Sequence, residues 1–152
     1  MAFTDTVNTS KRFKLGTRRR VDNKDFIYLQ GIASTAIGSW VNFDTLETGI
    51  TALLDTDVAA TVLGRVAVAM AAIGASQFGW YQIYGPASGL ALTASTDAKN
   101  AFATSTGGSV DDSGAGAEVM VFGAWSVDAV NETTFLQDFM LNYPYMIGVS
   151  LD

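Results

Sequence analysis

Gln77-Phe-Gly-Trp-Tyr-Gln-Ile-Tyr84, closed by Gly85-Pro86, is the stretch on which the fold turns. Aromatic side chains and Ile83 fill it, a composition suited to a pleated, half-buried surface, and the Gly-Pro pair reads as its stop. Phe78, Trp80, Gln82 and Tyr84 fall on one face, and Gln77, Gly79, Tyr81 and Ile83 on the other. Both faces carry rings. Such a strand is expected where one face meets the core and the other a neighbouring subunit. Trp80, Tyr81 and Tyr84 are therefore candidate subunit-interface anchors.

The neighbouring segments keep the same texture. Gly64-Arg-Val-Ala-Val-Ala-Met-Ala-Ala-Ile73 reads as a buried strand between Gly64 and Gly74, although its alanines favour helix. Asp25–Gln30 is rich in β-formers and ends at Gly31. Ser39–Phe43 places Trp40 and Asn42 on one face and Val41 and Phe43 on the other. Ile50–Leu54 fits a strand or a helical turn equally. Downstream, Gly89–Ala94 alternates, Ala98–Thr104 adds a short strand, and Glu118–Val127 returns to strand. Thr106–Gly116, eleven residues with four glycines, reads as a flexible loop. Thr133–Leu141 is ambiguous, and Tyr143–Leu151 is apolar to its end. Short strands at turn-marked intervals, with no long amphipathic helix, predict a mainly β body, a compact barrel or sandwich, over residues 24–152.

Charge divides the 152 residues differently. Residues 1–24 hold seven of the nine basic residues against two acids, a net +5; the remainder holds two against thirteen, a net −11. A polar, basic leader cannot bury enough apolar surface to fold alone. Residues 1–23 are thus expected to be an extended arm that orders against a partner, with Lys11, Arg12, Lys14, Arg18, Arg19 and Arg20 as its contact set. Fully extended it would reach about 75–80 Å, and its removal is expected to leave a folded body. Phosphates would satisfy these charges. Against that, rings are not interleaved densely with the cations, and the acidic body repels nucleic acid. A protein partner is favoured. An apolar content of 49% with only 16% charge points to a surface largely covered by copies of itself or by another protein.

The chain has neither cysteine nor histidine. Thiolate and imidazole metal sites, disulfides and the commonest general base are excluded together. No Gly-x-Ser-x-Gly elbow accompanies any serine. Gly74-Ala-Ser-Gln-Phe-Gly79 lacks the paired glycine of a dinucleotide fingerprint and the Gly-Lys-Ser/Thr of a phosphate loop, and reads as turn glycines. Asp55-Thr-Asp57 and Asp111-Asp112 lack the ligand pattern of a calcium loop and read as solvated acids. No catalytic set, cofactor or metal is expected. The longest apolar run, Val66–Ile73, is eight residues against the roughly 20 of a membrane span, so a soluble chain is expected.

The residues from Gly64 to Gly89 resemble small capsid decoration, or cement, proteins of tailed bacteriophages. In that family a Gly-x-Val-Ala-like strand leads to a Tyr-Gly-Trp-Val-Gln-Val-x-Gly-Pro-like segment. Here Phe78 stands where Tyr is common and Tyr81 where Val is. The alanine-rich Gly31–Val41 stretch, ending in Gly-Ser-Trp-Val, looks like the family's upstream Gly-Asp-x-Val element. The resemblance covers residues 25–127; the basic leader and Asn142–Asp152 lie outside it. It implies a β-tulip-type body and a structural virion protein made in the host cytoplasm. Such a protein sits on the outer surface of an icosahedral head, commonly as a homotrimer bridging major capsid subunits. The alternative is a head or tail appendage that binds host carbohydrate through Trp40, Trp80, Tyr81, Tyr84 and Trp125. Exposed, coplanar rings would favour it.

Overall fold

The computed structural model describes residues 2–43, 51–55, 64–112 and 119–147. Within them one 3-10 turn, Phe3–Asp5, precedes ten strands. β1 (Arg18–Val21), β2 (Lys24–Gln30), β3 (Trp40–Phe43), β4 (Thr51–Leu53) and β5 (Gly64–Ala69) make up the first half. β6 (Phe78–Leu90), β7 (Asn100–Ala103), β8 (Val110–Asp111), β9 (Val119–Ser126) and β10 (Leu136–Met146) follow. All are joined antiparallel in one branched sheet of order β1-β2-β6-β5-β10-β9-β7-β8, with β3 on β5 and β4 on β3. The expected mainly β body is what the chain forms.

The two long strands organise it. The first half of β6 has β2 on one edge and β5 on the other; from Tyr84 onward β10 takes over the β5 edge. The far end of β10 then turns to pair with the start of β5, Tyr145 opposite Arg65. A layered body results. Between the layers lies the largest apolar cluster, centred on Trp40, Val66, Val68, Phe139 and Leu141, with Trp40 edge-on to Phe139 at 5.0 Å. A second cluster, including Ile27, Leu29, Val41, Ile73 and Tyr81, lines the opposite face of β2, β3, β5 and β6.

Gly85-Pro86 does not stop β6; the strand continues to Leu90 and absorbs the expected Gly89–Ala94 strand. Gly85 has φ +90, and a Cβ there would lie 2.4 Å from the Asn23 carbonyl, so only glycine lets β6 pass the β1–β2 turn where its partner changes from β5 to β10. Gln82 supplies the donors that a neighbouring strand would have given. Its side-chain Nε2 donates to the carbonyls of Tyr84 (3.0 Å) and Pro86 (2.8 Å). Pro86 therefore turns its missing N–H to an edge that needs none.

Other boundaries also shift. β5 ends at Ala69, short of Ile73. Val110–Asp111, expected in a flexible loop, pairs with Phe102 and Ala103 as β8. Thr133–Leu141 and the Tyr143 segment merge into β10, bent at a bulge between Leu141 and Tyr145. Gly74–Gln77 is a turn that leads into β6, closed by Gly74 N–H donating to the Gln77 side-chain oxygen at 2.8 Å. Asp57, most of the Thr106–Gly116 loop's C-terminal part and residues 148–152 lie outside the described residues.

The extended arm is corrected most. Arg18–Val21 pairs residue for residue with β2, Arg18 opposite Ile27 and Val21 opposite Lys24. Ahead of it, residues 3–17 strap across the aromatic face of β2 and β6. Phe3 stands edge-on to Phe26 (5.2 Å) and Trp80 (5.3 Å), and Phe13 packs on Tyr28 and Trp80. Asn8 exchanges 2.8 Å backbone bonds with Phe78 and accepts the Tyr28 hydroxyl at 2.9 Å. The physical reason is the doubly apolar β6 itself. Its second face is covered by the chain's own leader, which brings Phe3 and Leu15 to do it.

Candidate interaction surface

The leader presents its charges outward. Lys11, Arg12, Lys14, Arg18, Arg19 and Arg20 are all exposed, because the apolar residues between them turn inward on the β2–β6 face. Strand alternation then sorts them. Arg19 shares the strap side, its guanidinium 4.3 Å over the Phe3 ring, beside Arg12 in an open cleft of about 350 Å³. Arg18 and Arg20 point to the other side. Arg20 lies 5.6 Å from the Tyr84 ring and 3.5 Å from Asp25, close enough for charge attraction but too long for a hydrogen bond. The second carboxylate oxygen of Asp25 accepts the Tyr143 hydroxyl. That bond holds the Tyr143 phenol above its ordinary pKa, with burial and the carboxylate charge adding to it.

The expected interface anchors are placed differently. Tyr81 has no exposed surface and Trp80 is 4% exposed, so within one chain both are core residues rather than surface anchors. Tyr84 is half-buried and stacks on Tyr143 at 5.1 Å. Burial pushes the Tyr81 phenol up to about 12. Its oxygen is near the Thr51 and Thr35 hydroxyls, but each of those donates elsewhere, to Gln30 and Ile32 carbonyls, and Tyr81 makes no hydrogen bond of good geometry.

Sequence reading missed a second surface. Among the described residues, six of eight well-exposed large apolar side chains fall between 125 and 147, including Trp125, Val127, Tyr143, Tyr145 and Ile147. Register sets Trp125 and Tyr145 among further side chains on the outer side of β7, β9 and β10. Trp125 lies opposite Met140, Phe122 opposite Tyr145, and Phe102 opposite Met120. Phe122 and Tyr145 stack at 5.4 Å and 16°. Gly123, φ +79, makes the bulge that aligns the strands; a Cβ there would sit 2.6 Å from the Asn142 carbonyl. The signal in the sequence was the alternation Tyr143-Pro-Tyr145-Met-Ile147, which has rings on the face opposite the core. Phe122 and Tyr145 stack on one another, an arrangement unlike two coplanar rings of a sugar platform.

The acids form no cation cage. Asp112 accepts the Thr96 hydroxyl (2.6 Å) and N–H (2.8 Å), and the hydroxyl bond above all holds its carboxyl below the ordinary value. Asp111 bonds the Asp112 N–H. Among the described residues no group of three or more potential metal ligands gathers, and no helix is long and apolar enough to cross a membrane.

No protein-family model and no curated protein matches the chain. Among solved structures, it matches a chain of "The capsid of Myoviridae Phage XM1" with a TM-score of 0.51 at 17% identity. The match covers 86% of this chain and 90% of that one. The two share a fold. Nearly the whole of both chains takes part, so the likeness extends beyond residues 25–127 into the strap or the C-terminal strand.

Proposed function

We propose that this chain is a structural virion protein, a cement protein that binds the outer surface of an icosahedral phage head and bridges neighbouring major capsid subunits. The observation that carries the reading is the fold shared, over 86% of this chain, with a chain of a phage capsid. The sequence resemblance around Gly64–Gly89 points the same way from independent residues. The basic edge supplies the contact. Lys11, Arg12, Lys14 and Arg19 are exposed on the strap side and face acidic capsid groups, with Arg18 and Arg20 flanking them. Each exposed ion pair contributes roughly 0–1 kcal/mol; many copies on a closed shell make the sum multivalent. The protein acts without catalysis or cofactor, assembles as a homotrimer, and reaches the head from the host cytoplasm.

The structure changes the proper test. Deleting residues 2–20 would uncover Phe26, Tyr28 and Trp80 and destabilise the body, so lost binding would carry no meaning. Reversing Lys11, Arg12 and Lys14 to Glu leaves the strap's apolar contacts in place. Purified variant and parent are sedimented with heads assembled without this chain. The reading expects the parent to pellet in a salt-sensitive manner and the variant to stay in the supernatant. Parent that ignores heads, yet binds a glycan array through Trp125, would transfer the function to the carbohydrate-binding appendage.

A further inference from the structure

We infer that the cleft between Arg12 and Arg19 receives a capsid peptide segment in which one large apolar side chain is flanked by carboxylates; the capsid origin of that segment rests on the cement reading. Three rings and two guanidiniums meet there. Trp80 lies beneath, with Phe3 edge-on to it at 5.3 Å and Phe13 tilted against it at 5.5 Å. Phe13 is 46% exposed and Trp80 only 4%, so the strap covers the tryptophan and leaves its own ring in the opening. At about 350 Å³ the cleft falls within the roughly 300–1,000 Å³ of ligand pockets.

The polar groups around these rings are donors. Arg19 rests its guanidinium on the Phe3 ring at 4.3 Å. Arg12 is exposed, and its backbone N–H donates to the Tyr28 hydroxyl oxygen at 3.2 Å, which fixes its place on the rim. Among the described residues neither guanidinium pairs with an acid, and no carboxylate lines the cleft. Asn8 accepts the Tyr28 hydroxyl with its side-chain oxygen and keeps its amide N–H to donate. The complement of this site is an anion-bearing group with an apolar anchor. An aromatic pocket ringed by arginine is also the usual make-up of an interface hot spot.

Charge alone admits nucleic acid as well. Ring geometry and the charge of the body select a peptide. A strand of bases stacks on open ring faces, but here the rings meet at 87° and 55°, Arg19 covers one face of Phe3, and Trp80 is nearly buried. Edge-to-face packing instead accepts one more ring or branched side chain. A polyanion would also run on past the cleft over residues 25–152, whose net charge of −11 repels it. Two carboxylates beside a single anchor stay close to Arg12 and Arg19, and beyond about 8 Å salt screens them from the rest.

The test titrates the full chain, labelled with nitrogen-15 and without heads, at low salt with capped synthetic peptides. Glu-Phe-Glu should move the Trp80 indole and Asn8 amide resonances saturably, and Glu-Gly-Glu and Lys-Phe-Lys should bind about tenfold more weakly or worse. Phe13→Ala and Arg12→Gln, each shown to be folded by near-UV circular dichroism, should weaken Glu-Phe-Glu by about tenfold. Still resonances, equal binding of Glu-Phe-Glu and Glu-Gly-Glu, or folded variants that bind as the parent does would overturn the inference. So would a short thymidine strand that shifts the same resonances more tightly than the peptide. Co-sedimentation with heads separates the two readings. A parent that binds heads but no peptide overturns the cleft alone, whereas one that binds the peptide and ignores heads supports the cleft and overturns the capsid as its partner.

Discussion

Replacing Phe3 by alanine tests whether the leader is part of the folded body. Phe3 is half-buried, makes two edge-to-face ring contacts, and carries the Arg19 guanidinium on its exposed face. Full burial of a phenylalanine is worth about 1.5–3 kcal/mol, so half-burial contributes about 1–1.5. Each ring pair adds about 0.5–1.5 kcal/mol and an exposed cation–π contact about 0.5–1. These contributions share the same atoms and do not add fully, which gives about 2–3 kcal/mol. For a chain of this length that is a fall in Tm of about 5–10 °C. Denaturant unfolding followed by tryptophan fluorescence measures it directly. Trp80 should shift to the red as its cover is lost, while Trp40, with no exposed surface, should not respond. Phe13, 46% exposed, is the control, and its alanine variant should cost about 1 kcal/mol or less. A Phe3→Ala loss below about 0.5 kcal/mol, with unshifted emission, would refute the docked strap.

Tyr81→Phe should be neutral or stabilise by up to about 1 kcal/mol near pH 7, since it removes a buried hydroxyl without a hydrogen bond. The unfolded chain ionises this phenol near its ordinary value while the folded one holds the proton to about 12. Stability therefore falls as pH rises through that window, and the variant should flatten the alkaline limb of unfolding midpoint against pH; an unchanged limb would count against the assignment. Gly123→Ala combines left-handed φ with a Cβ 2.6 Å from a carbonyl and should cost about 2–3 kcal/mol, whereas Gly16→Ala, with open space, should cost about 1. Equal losses on thermal melting would show the bulge to be soft. Thr96→Ala should raise the Asp112 pKa towards the ordinary value in a carboxyl-carbon NMR titration and remove about 0.5–1.5 kcal/mol at neutral pH. Because the folded carboxyl is held low, that loss should shrink as pH falls through its titration.

The strands were legible where side chains state their faces. Trp40 and Asn42 against Val41 and Phe43, and the two-faced Phe78–Tyr84, settle their own burial. Local rules failed where a distant partner decides. Gly85-Pro86 carries a stop signal, yet Gln82 replaces the missing edge donors and β10 supplies the other edge, so β6 runs on. The leader read as an extended arm ordered by an external partner because its charge dominates its composition. Phe3, Phe13 and Leu15 are too widely spaced to show a period, and only the aromatic face of β2 and β6 makes them a unit. Trp80 and Tyr81 were expected to anchor a subunit interface and are buried in the chain's own core, because a ring looks the same in sequence whether its pocket lies in the same chain or in the next. The outer face of β9 and β10 depends on register between residues about twenty apart, which alternation alone does not provide.

The proposed attachment to a phage head through the basic edge is open to direct measurement. Co-sedimentation with heads assembled without this chain, parent beside the Lys11, Arg12 and Lys14 charge-reversal variant, is its most direct measurement. The account predicts saturable pelleting of the parent, released by salt, and none of the variant at equal fold stability. Parent and variant that pellet alike, or a parent that never pellets, would contradict it.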